Sequence, residues 1–118
     1  MQINYSSFKQ GDVVIAEIRF SNNEESKIRP ALVISSTNYN QQSGDIVLLK
    51  ITSKTKNWPF DVSLTQIDLT TGQLNMDSVI KSDFPVVIAK NRIIKTIATI
   101  NGKKVQETKE KIKQVFQL

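Results

Sequence analysis

Short β-branched runs, broken by polar connections too short to hold a crossover helix, are the feature that most limits what this chain can fold into. Residues 8–20, FKQGDVVIAEIRF, open with a Gly-Asp turn, and Val13, Ile15, Glu17 and Arg19 then alternate with Val14, Ala16, Ile18 and Phe20. That period of two predicts a strand. SNNEESK is polar and predicts a loop, residues 30–35 predict a short buried strand, and STNYNQQSG predicts a second, turn-rich loop. Further strands are expected at Asp45–Thr52 (DIVLLKIT), at residues 60–64 after SKTKNWP, at residues 78–81, and at Ile93–Ile100, where alternation returns. From Asn101-Gly102 onward Val105, Thr108, Ile112, Val115 and Phe116 recur at helical spacing among Lys and Glu. This predicts an amphipathic helix with Asn101 as its N-cap. No repeat, linker or low-complexity tract interrupts the pattern. The expectation is one domain over residues 1–118, mostly β: a small antiparallel barrel with a C-terminal α-helix.

Composition removes whole classes of chemistry. The 118 residues hold no cysteine and no histidine. Disulfides, thiol nucleophiles, zinc–thiolate centres and imidazole acid–base catalysis are therefore excluded. An enzyme built from this chain must work with carboxylates, hydroxyls, Lys, Arg or backbone, and neither a metal nor an organic cofactor is expected. No apolar run approaches the length of a membrane span, and Met1-Gln2-Ile3-Asn4 reads as a native start without a secretion leader, so the cytoplasm is the expected location. The net charge of +5 is uneven: residues 1–80 carry seven basic and eight acidic side chains, residues 81–118 nine basic and three acidic. That asymmetry suits a polyanionic partner, and it equally suits a lysine-rich solvated helix.

Three stretches could carry function. In SKIRPALVIS, Pro30 fixes its own φ and forces Arg29 into an extended conformation, so the guanidinium projects from a stiff strand entrance. Arg presents a planar fork that matches phosphate oxygens, although Arg-Pro before a strand is also an ordinary charged entrance. In LLKITSKTK, Thr52 ends the strand and is followed by hydroxyls at Ser53 and Thr55 and cations at Lys54 and Lys56. Interleaved hydroxyls and cations bind phosphodiesters, and they are equally a common loop composition. Trp58 and Phe60 flank Pro59 and offer either a base-stacking surface or core packing. Asp12, Glu24, Glu25 and Asp83 show no metal-ligand spacing, and the NMD stretch at residues 75–77 reads as structure only.

Taken in order, GDVVIAEIRF, a polar loop, SKIRPALVISS, YNQQSGDIVLLKITS and DSVIKSD resemble the MazF/PemK family of toxin endoribonucleases from type II toxin–antitoxin systems. The resemblance covers nearly the whole chain, is strongest over residues 11–53 and is weak over residues 54–76. It implies an SH3-like barrel with a C-terminal helix, usually a homodimer. It assigns the catalytic pair to Arg29 of the RP motif and Thr52 of the ITS motif; Lys27, Ser53, Lys54 and Lys56, close to them in sequence, are the expected RNA contacts. It implies single-stranded RNA as substrate, a cognate antitoxin as partner, and operator DNA as a target of the toxin–antitoxin complex. The chain departs from the family in two places. NNEESK lacks the usual glycines, and residues 84–92 lack the Arg and Asp often found around a short helix and contain Pro85, an altered segment.

On this basis the expected reaction is metal-independent cleavage by the RNA's own 2′-hydroxyl, leaving a 2′,3′-cyclic phosphate and a 5′-hydroxyl. Arg29 supplies charge at the phosphate, Thr52 positions an oxygen, and the general base stays open. Two other readings remain. One is a CcdB-like gyrase poison on the same barrel; such proteins act through their extreme C-terminus, whereas the Val115 and Phe116 of KQVFQL are expected to be buried on the helix stripe. The other is a non-catalytic barrel that binds nucleic acid or antitoxin.

Overall fold

The computed structural model describes residues 8–19, 25–54 and 57–118. Seven strands and two helices run in the order β1 (Asp12–Ile18), β2 (Lys27–Val33), α1 (Thr37–Gln42), β3 (Asp45–Thr52), β4 (Asp61–Leu64), β5 (Leu69–Gly72), β6 (Ser78–Ala89), β7 (Ile93–Ile100) and α2 (Gly102–Phe116). Single 3₁₀ turns at Gln66–Asp68 and Lys90–Arg92 lead into β5 and β7. The strands form one antiparallel sheet in the order β4-β6-β3-β2-β1-β7-β5. It curls into an SH3-like barrel and buries an apolar cluster on each face. One cluster gathers Val13, Leu32, Leu49, Ile51, Val62, Leu64, Ile80 and Ile100, with Val105 and Ile112 of α2 packed against it. The other gathers Val14, Ala16, Ile18, Val33, Ile46, Leu48 and Ile88. Strand alternation explains the division, because neighbouring residues point to opposite faces. Among the described residues no helix is long and apolar enough to cross a membrane.

β6 is longer than the expected residues 78–81 and serves both clusters. Asp45↔Ala89 through Leu49↔Pro85 pair in one register, whereas Ile51↔Ile80 and Thr52↔Val79 pair in another. Residues 81–84 of β6 therefore stand across from the single Lys50, an excess of three. An odd excess reverses the side on which later residues emerge. Ile80 thus faces the first cluster and Ile88 the second, although alternation alone would put both on one side. Pro85 sits where this irregularity ends and β4 no longer pairs, so its missing N–H costs little. The expected departure over residues 84–92 is strand followed by one 3₁₀ turn.

Two expectations are corrected. STNYNQQSG is not all turn: Ser36 caps α1 by accepting from the Tyr39 N–H. That helix delivers Asn40, with 0% of its surface exposed, into the interior. Its Oδ1 accepts from Ser35 Oγ at 2.5 Å, and its Nδ2 donates to the carbonyls of Ser35 (3.1 Å) and Phe8 (3.3 Å). Its own carbonyl accepts from the buried Lys90 ammonium. Phe116 is the second correction. It is 55% exposed rather than buried, and Val115 is only half-buried. The start of α2 agrees with expectation, with Asn101 Oδ1 accepting from the Lys104 N–H at 2.8 Å.

Truncating Asn40 would strand several polar groups away from water, and each such group is expensive. Asn40→Ala is expected to lower unfolding free energy by about 2–3 kcal/mol. Urea denaturation should show a lower midpoint at unchanged slope.

Candidate functional site

β2 and β3 pair at Val33↔Leu48, Leu32↔Leu49 and Ala31↔Lys50, and there the ladder stops. Pro30 lies one residue beyond the last rung and has no N–H to offer a further one. Continuing the same register by two residues sets Arg29 of β2 opposite Thr52, the last residue of β3. The two strands bound a groove of about 530 Å³ at this end of the barrel. Its more buried lining is apolar: Ile15, Pro30, Ile51, Leu74 and Ile97. Its exposed lining includes Arg29, Ser53, Lys54, Asn75 and Met76, with Lys50, Thr52 and Ser78 half-buried between them. Three cations and no carboxylate line it, which makes it attractive to an anion.

The polar side chains are held in different ways. Arg29 is exposed, and its Nη1 donates to the Ile28 carbonyl at 2.9 Å. Among the described residues it forms no ion pair. Thr52 Oγ1 accepts from the Lys54 N–H at 3.1 Å, which closes a tight turn and ties Lys54 to the end of β3. Lys50 carries its ammonium 5.1 Å from the centre of the Phe84 ring. A second cleft adjoins the first and shares Lys50, Thr52 and Lys54 with it, adding Trp58, Asp61 and Lys81. Asp61 is paired with Lys81 at 2.6 Å, so the cleft stays net positive.

Arg29, Thr52, Ser53 and Lys54 of the expected set thus line one groove. Lys27 does not: it is exposed at the start of β2, opposite Ile18. Lys56 and its neighbour Thr55 lie outside the described residues, as does part of the NNEESK loop. Sequence reading missed Lys50, whose place two residues before Thr52 on a period-two strand was the available signal. It also missed Asn75 and Met76, from the stretch read as structure only. These reach the groove because β5 ends at Gly72, whose φ of +85° turns the chain back. Among the described residues no three carboxylates gather in one place.

The family profile described as "PemK-like, MazF-like toxin of type II toxin-antitoxin system" matches residues 9–116. Among curated proteins none matches the chain. Solved structures with the same fold include a Mycobacterium tuberculosis toxin, MazF-mt6, at 19% identity and a TM-score of 0.76, covering 91% of this chain and 97% of that one. MazF from Deinococcus radiodurans is similar at 23% identity and a TM-score of 0.74, covering 93% and 96%. An endoribonuclease in complex with its cognate antitoxin, from a mycobacterial species, is similar at 13% identity and a TM-score of 0.71, covering 95% of each chain.

A cationic groove binds a polyanion with strong salt dependence, because bound phosphates release their counterions. For a single-stranded oligonucleotide, Lys50→Gln and Lys54→Gln are each expected to reduce the slope of log affinity against log salt by about 0.7. Fluorescence anisotropy titrations across a salt series check this.

Proposed function

The chain belongs to the PemK-like, MazF-like toxin family of type II toxin–antitoxin systems, and on that premise we propose that it is the toxin: an endoribonuclease that cuts single-stranded RNA without a metal ion. The observation that carries this reading is the shared lining of Arg29, Thr52, Ser53, Lys50 and Lys54 around one groove free of carboxylates. Such a groove attracts a phosphodiester, repels none of its charge, and offers a guanidinium and a hydroxyl from opposite walls.

In this mechanism the 2′-hydroxyl next to the scissile phosphate is the nucleophile. As its oxygen attacks phosphorus, negative charge builds on the non-bridging oxygens, and a fixed cation there lowers the barrier. Arg29 takes that role with a planar fork that can span two oxygens. Thr52 positions the 2′-hydroxyl or a phosphate oxygen, its own Oγ1 being fixed by the Lys54 N–H. The bond from phosphorus to the 5′-oxygen breaks, leaving a 2′,3′-cyclic phosphate on one fragment and a 5′-hydroxyl on the other. The proton lost by the 2′-hydroxyl goes to a base and the departing 5′-oxygen takes one up from an acid, water being able to serve in both places; neither transfer is assigned to a side chain. Bases must be free of a duplex to bend the backbone into such a groove, so paired RNA is a poor substrate.

Two relatives of known structure are a MazE–MazF complex and an endoribonuclease bound to its cognate antitoxin. By analogy this toxin has an antitoxin partner, whose acidic, disordered segment would cover the basic groove and occlude RNA. A homodimer that, with its antitoxin, binds operator DNA, in the cytoplasm, completes the reading.

The Arg29 side chain is exposed and hydrogen-bonds only to the Ile28 carbonyl of its own strand, so its truncation spares the fold. Arg29→Ala is expected to slow cleavage of a long single-stranded transcript in EDTA at least about 100-fold, with thermal unfolding unchanged. Sequencing the 5′ ends of the fragments reports activity, end chemistry and cut-site preference together. An Arg29→Ala protein that cuts normally, or wild-type protein that leaves the transcript intact, overturns the proposal.

A further inference from the structure

Trp58 is unusual in being large, aromatic and 46% exposed beside the groove. Its presentation is fixed at several points. The indole Nε1 donates to Asp83 Oδ2 at 2.9 Å, from the excess segment of β6. The Phe60 ring lies 5.4 Å away between centroids, tilted by 60°. The turn beneath is closed by the Asp61 N–H donating to the Trp58 carbonyl (3.0 Å), and Lys111 of α2 donates to the Pro59 carbonyl (3.0 Å). Asn57 enters the turn at φ 54°, a conformation Asn tolerates better than most residues. An exposed tryptophan fixed by a carboxylate, a second ring and a helix is a built platform rather than a stray surface residue.

The platform faces a cleft of about 410 Å³ that it lines with Lys50, Thr52, Lys54, Asp61 and Lys81. Three of these, Lys50, Thr52 and Lys54, also line the groove assigned to the scissile phosphate. Lys81 pairs with Asp61, and Lys54, which lines both clefts, stands where a backbone phosphate would cross from one to the other. A flat π-face next to cations is the arrangement on which single-stranded nucleic acids are held, since every base has a face to stack and every linkage a charge.

We infer that this second cleft is a nucleobase subsite, in which Trp58 stacks a base of single-stranded RNA adjacent to the linkage bound between Arg29 and Thr52. The inference rests on the ribonuclease reading for the identity of the ligand. A stacked base fixes the strand's position along the groove, so Trp58 contributes to where the RNA is cut as well as to how tightly it binds.

Trp58 is the sole tryptophan of the chain, so intrinsic indole emission reports on it alone. The test uses the full-length protein and a short single-stranded RNA carrying 2′-O-methyl groups throughout, which cannot be cleaved. Saturable quenching of the emission is expected. Trp58→Ala should weaken binding of the labelled strand about tenfold or more, and Trp58→Phe should restore most of it. An abasic strand of the same length should bind wild type and Trp58→Ala alike. Unquenched emission at saturation, a Trp58→Ala protein with wild-type affinity, or quenching by an acidic peptide but not by the oligonucleotide overturns the inference. Loss of the nuclease reading is distinguishable: wild type would then fail to cut ordinary RNA while quenching persisted.

Discussion

An antiparallel ladder fixes which residues meet, however far apart they lie in sequence, and the one between β2 and β3 fixes this site. Its rungs run to Ala31↔Lys50 and then end. The same register, carried past its last rung, sets Arg29 across from Thr52, and Pro30 and the buried Ile51 beside them form part of the groove wall. One event thus produces both the concavity and the polar pair at its edge. The apolar packing of Leu32, Leu49 and Val13 holds that geometry, so the pair depends on the core and not on loop conformation.

The elements with a clear period were legible in the sequence. β3 and β7 have the expected bounds, and Asn101 caps α2 as its side-chain chemistry dictates. What stayed hidden has physical causes. TNYNQQ carries no apolar stripe, so α1 left no periodic signal, and a fully buried Asn40 looks like a surface residue until its partners are known. β5, LTTG, is short and mostly exposed. Val115 and Phe116 are about 100° apart around the helix, and both cannot point at the same sheet. In the groove, Arg29 and Thr52 each had an ordinary structural reading alone, and stood out because both fall on motifs of one ordered pattern. Asn75 and Met76 did not, because only the return of the chain after Gly72 brings them there.

Charge was the least faithful guide. The basic excess lies after residue 80, yet Arg29, Lys50 and Lys54 come from the portion of the chain with a slight acidic balance. Several later lysines serve the fold instead. Lys104 is buried between Asp68 (3.6 Å) and Glu107 (3.1 Å), and Lys90 is spent on the Asn40 carbonyl. A net charge counts ammonium groups without regard to whether they are already neutralised or sealed, so it indicates a class of partner but not a surface.

The odd-numbered surplus in β6 has a consequence for how this chain tolerates change in length. A single-residue deletion or insertion within residues 81–84 would turn Ile88 outward and bring the now exposed Val87 inward in its place, disturbing the packing of one of the two apolar clusters. A two-residue indel would preserve that parity and alter only how far the segment protrudes. Since Asp83 and the ring of Phe84 lie on this segment, beside Trp58 and Lys50, its length offers natural variation a way to reshape the rim of the second cleft in steps of two while leaving the barrel intact.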